Sequence, residues 1–131
     1  MVVRLLLAVL GLFHLANGLA MLGFPHAWAT AVVHLGGPDH LHLHFIADIA
    51  MAFLASGVGL LLGARRGAAN AAWAAAGAAW PALHALLHLK EWILEGLPAA
   101  TLDIVSEGVG VILVGALGVL LAWRRFSQGD A

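Results

Sequence analysis

Histidines and carboxylates recur at helical spacing inside stretches of this chain that are otherwise apolar. His40, His44 and Asp48 follow one another at steps of four, His84 and His88 repeat that step, and Glu91 and Glu95 continue the same side. Asp103 and Glu107 form another such pair, and His14 and Asn17 stand three apart. Residues three or four apart on a helix are neighbours on its surface, so each set presents its polar groups together. Imidazole with carboxylate is ligand chemistry for Zn, Fe, Mn or Cu, and facing helices of a bundle often build such sites in their interior. Two histidines at i, i+4 can hold one ion on one helix face, although the glutamate of HExxH is missing here. The same residues suit haem b held by one histidine from each of two helices, with Trp80 and nearby glycines leaving room for the macrocycle. They also suit a proton relay or plain hydrogen bonding between helices.

The elements that must position these groups are four apolar stretches, at about residues 2–22, 38–63, 68–89 and 104–123. Each is close to the roughly 20 residues that carry a helix across a bilayer core. Composition agrees: of 131 residues, 63% are hydrophobic and only 10% charged, against about 25% charged in a soluble domain. Arg4, Arg65, Arg66, Arg124 and Arg125 fall at one end of these stretches, while Lys90 and most of the acids fall at the other. Short basic loops stay in the cytoplasm, so the expected fold is an all-α, integral membrane four-helix bundle, one domain, with N and C termini cytoplasmic. The first stretch carries His14 and Asn17 and is expected to remain as a helix rather than act as a cleaved signal peptide. A formal net charge of −1 argues against nucleic acid as a partner, and the lack of cysteine excludes disulfides and thiolate metal sites. No phosphate-cradling glycine loop or GxSxG elbow occurs. Ser56 and Ser106 stand at neither i+3 nor i+4 from a histidine and are poor nucleophile candidates, so the residues alone do not decide whether the chain is an enzyme.

Antiparallel threading sets the heights of the polar groups. Asp48 is expected two to three turns below the start of the second helix, about 15 Å down at 1.5 Å per residue. His84 and His88 fall near the outer end of the third helix, and Glu107 near the outer start of the fourth. The expected site therefore has His44, Asp48, His84 and His88 at its core, completed by His14 and Glu107. His26, His34, His40 and His42 read as interfacial, and Glu91, Glu95 and Asp103 as a solvated rim. The link at residues 24–37 reads as a loop with Trp28 anchored in the interface, and Gly36, Gly37, Pro38 and Asp39 as the start signal of the second helix. Pro81 should kink the third helix. The alanine-rich third helix and the strip of Gly108, Gly115 and Ala122 on the fourth offer smooth faces for other membrane subunits or a second copy.

The stretch GLFHLANGLAML from Gly11 to Leu22, with Pro25 and Trp28 after it, resembles small bacterial four-helix membrane proteins of the DoxX-like kind. HFIADIAMAFLASGVGLL from His44 to Leu62 and PALHALLHL from Pro81 to Leu89 carry the likeness along most of the chain. The resemblance implies a four-helix fold in the bacterial inner membrane and a place near quinone-linked or respiratory complexes. Ala47 stands where members of that family often carry a basic residue. Three functions remain open at this level: a metal- or haem-binding protein with a redox role, an accessory subunit, and a small oligomeric transporter.

Overall fold

The computed structural model describes residues 1–33 and 42–127, and every regular element among them is helical. The long elements are α1 (Val2–Gly23), α3 (Leu43–Gly63), α4 (Ala71–Glu95) and α6 (Val114–Ser127), with the short α2 (Pro25–Trp28) and α5 (Thr101–Glu107) between them. A π-helical turn, Ala29–Val33, follows α2, and a π-helical segment, Gly108–Leu113, joins α5 to α6. Together α5, that segment and α6 form one helical run of 27 residues, Thr101–Ser127. This run, α1 and α3 are long and apolar enough to cross a membrane. At 25 residues α4 matches them in length, but three tryptophans, a proline, two histidines and the charged Lys90, Glu91 and Glu95 dilute its apolarity.

Packing follows from small residues. Gly11 of α1 meets Gly57 of α3 so closely that a Cβ on Gly57 would lie 2.8 Å from the Gly11 carbonyl oxygen. One on Gly18 would lie 2.9 Å from that of Ala50. Numbers rise along α1 as they fall along α3, so the two helices are antiparallel. Between α3 and α4 a Cβ on Gly59 would lie 2.7 Å from Gly77 Cα, and one on Gly63 would lie 2.6 Å from Ala74 Cα. A Cβ on Gly115 of α6 would lie 2.6 Å from the Pro81 carbonyl oxygen of α4. α6 packs back against α1, which closes the ring. Where lipid and core are equally apolar, such close backbone approach is what drives helix association. The interior it encloses is built from Leu7, Leu10, Leu60, Ala74, Ala78 and Leu121, with a second cluster of Met21, Ile46, Ala50 and Phe53.

The basic end is tied shut. Arg125, buried, donates from Nε to the Gly63 carbonyl at 3.3 Å and from its terminal nitrogen to those of Arg65 (3.1 Å) and Gly67 (2.8 Å). Arg4 donates to the Ala64 carbonyl at 2.9 Å. Two helix termini thus supply the donors that the carbonyls at and beyond the α3 C-terminus lack within the helix.

Several boundaries differ from the sequence reading. His42 is extended and α3 begins at Leu43, not near Pro38. The Gly36–Asp39 start signal, His34 and His40 lie outside the described residues. α4 continues to Glu95, six residues beyond the expected end, and stops at Gly96 with φ 92°, a conformation glycine adopts without strain. The link after α1 is helical from Pro25 to Val33 rather than a loop, because Pro25 opens a new helical turn.

Candidate functional site

α4 sets Trp80, His84, His88 and Trp92 four apart, and this stripe carries the polar chemistry of the acidic end. The Trp80 indole stacks on His84 with centroids 4.9 Å apart and planes 17° from parallel. His84 meets His88 edge-on at 4.8 Å, and Phe53 of α3 packs edge-on against Trp80, also at 4.8 Å. His88 Nδ1 lies 3.2 Å from Glu107 Oε2 and 3.7 Å from Glu91 Oε2, yet without the alignment of a hydrogen bond, so the nitrogen is buried and unpartnered. Trp92 Nε1 donates to the same Glu107 oxygen at 2.6 Å, fixing the carboxylate across the α4–α5 interface.

A cavity of about 330 Å³ opens beside this stripe. His84, His88, Glu107, Asp103 and Ser106 supply its polar wall, while Phe13, Val32, Ile49, Phe53 and Val111 supply the apolar one. Asn17 and Trp28 complete it, joined by a 2.9 Å hydrogen bond from the indole N–H to the amide oxygen. Trp28 is therefore tied onto α1 through Asn17. Both π-helical stretches border the cavity, one through Val32 and the other through Gly110 and Val111. Such segments are rare and concentrate at functional sites.

Of the residues singled out in the sequence, the structure brings His84, His88 and Glu107 to one cavity. His44 and Asp48 lie elsewhere. They face each other at 3.5 Å on the outside of α3, with side chains 94% and 64% exposed, and neither lines the cavity. The cause is the rotation of α3 about its axis. Ile46, Ala50, Phe53 and Gly57 are its buried stripe; at about 100° per residue, His44 and Asp48, each two residues from Ile46, point about 160° away from it. His14 is buried on α1 with its ring 5.5 Å from Phe53, but it is screened from the cavity, and neither of its ring nitrogens has a partner. His26 and His42 are exposed. Among the described residues no group of three or more His, Asp or Glu side chains is arranged to hold a metal ion.

Sequence reasoning passed over Trp92 and the Asn17–Trp28 bond. Trp92 was signalled by its place four residues after His88, on the stripe that already held Trp80 and His84. The chain matches no protein-family model, no curated protein and no solved structure.

Proposed function

We propose that this is a small integral membrane protein, its four long helices forming a transmembrane bundle with both termini in the cytoplasm, that binds a metal ion in the cavity at its acidic end. The single observation that carries the reading is the unpartnered His88 Nδ1 beside Glu107 Oε2 at 3.2 Å. Donors bound to one ion at about 2.1 Å with tetrahedral angles stand about 3.4 Å apart. The buried nitrogen makes no aligned hydrogen bond, and an ion between these two groups would give it a ligand bond. Trp92 plays the part of the outer donor that orients a ligating carboxylate. Glu91, His84 or water would complete the coordination.

An ion fits better than haem b. The cavity's 330 Å³ sits at the foot of the roughly 300–1,000 Å³ range of small-molecule sites, and both of its histidines come from α4. The placement of Arg4, Arg65, Arg66, Arg124 and Arg125 at one end supports the topology. The likeness to DoxX-like proteins supports assignment to that family and to the bacterial inner membrane. The test is elemental analysis with an absorption spectrum on protein purified in mild detergent from its native membrane. About one zinc, iron or copper per chain supports the site, and a Soret band would favour haem. A colourless, metal-free protein copurifying with larger subunits would overturn the proposal in favour of an accessory role.

A further inference from the structure

The wall between α3 and α4 carries a second hollow, lined by no histidine. It is an open groove of about 670 Å³ lined by Ala52, Ala55, Val58, Gly59, Trp73 and Ala76, among others, with no charged side chain. The groove spans eight residues of α4, from Trp73 to Trp80, or about 10 Å of helix. That depth fits within one half of a bilayer core about 30 Å thick. Its lower end lies near the basic end of the molecule: Trp73 is two residues into α4, and Gly59 is one turn before the end of α3 at Gly63.

The loop just beyond carries Arg65 and Arg66, both exposed and without an ion pair among the described residues. Their backbone is held firmly. Arg125 takes the Arg65 carbonyl at 3.1 Å and Asn70 Nδ2 takes that of Arg66 at 2.6 Å. Two guanidinium groups are thus presented from a fixed loop on the basic side of an apolar groove. A guanidinium is built to grip a phosphate through two parallel hydrogen bonds.

We propose that this groove holds one acyl chain of an anionic glycerophospholipid whose phosphate is bound by Arg65 and Arg66. The inference rests on membrane embedding but is independent of the metal site. Charge complementarity selects the headgroup, and the groove between Trp73 and Trp80 receives the chain. Trp73, half exposed, flanks that chain.

The experiment reconstitutes the full chain in phosphatidylcholine vesicles carrying a minor fraction of brominated-chain phosphatidylglycerol or, in parallel, brominated phosphatidylcholine, and reads tryptophan quenching. Two arginines at an anionic headgroup should give the brominated phosphatidylglycerol roughly a tenfold preference at the groove. The excess quenching should fall in W73F, which removes the more exposed of the two groove tryptophans and leaves Trp80, and should vanish in the R65Q/R66Q pair and in A76F, which fills the groove from an exposed position. Unchanged helicity by circular dichroism guards against misfolding in each variant. Equal quenching by the two lipids overturns the proposal, as does a preference that survives R65Q/R66Q or A76F. A chain that fails to enter vesicles at all would instead sink the membrane reading.

Discussion

The two ends of this molecule are built on opposite principles. Toward the basic end, glycine and alanine press α3 and α4 together at Gly59–Gly77 and Gly63–Ala74, and the donors of Arg4 and Arg125 are spent on loop carbonyls. Toward the acidic end the helices part around a cavity, two helical stretches widen to π geometry, and a buried histidine nitrogen stays unpartnered. Close backbone packing and arginine–carbonyl bonds hold the helices together at the first end. The second end gives up packing and hydrogen bonds that a stable fold would otherwise use, as sites that bind something commonly do.

If that contrast is real, substitutions should separate the ends by what they change. The largest loss is expected from G77L, because a Cβ there would meet the Leu60 nitrogen and lie 2.8 Å from the Ser56 carbonyl oxygen. Overpacking of this kind costs about 3 kcal/mol or more, read as a lowered midpoint in detergent-unfolding titrations. R125A comes next, at about 2–3 kcal/mol, since it strips a charged donor from three carbonyls at the basic end. W92F removes one bond to Glu107 and should cost only about 1 kcal/mol of stability. Its metal affinity should nevertheless fall about 10- to 100-fold, the usual effect of losing an orienting partner. The smallest effect on folding is expected at Gly110, where an added Cβ meets nothing within 4 Å. G110A should shift stability by no more than about 0.5 kcal/mol. A G110A variant as unstable as G77L would erase the distinction between the ends.

How much of this was legible in the sequence depended on what sets each feature. The i, i+4 spacing placed His84 and His88 on one stripe, and antiparallel threading put Glu107 at their height; the structure joins these three at one cavity. Height follows from residue count, which a sequence states directly. The rotation of a helix about its axis does not, when lipid-facing and core-facing sides are equally apolar. That is why His44 and Asp48 were expected inside and stand outside. The phase of α3 is set by Ala50 and Gly57 packing on α1, and the small-residue stripe was the signal to follow. The π-helical widening at Gly108–Leu113 has no comparable local mark in the sequence, whereas the helical turn through Trp28 was marked by Pro25 at its first position.

The most direct test of the central claim is equilibrium dialysis of the detergent-purified protein against zinc, comparing wild type, H88A, E107Q and H44A. The account predicts about one ion per chain in the wild type and in H44A, whose His44–Asp48 pair lies on the exposed face of α3, with binding lost in H88A and E107Q. Binding that survives H88A but disappears in H44A would contradict it, moving the site to the outside of α3.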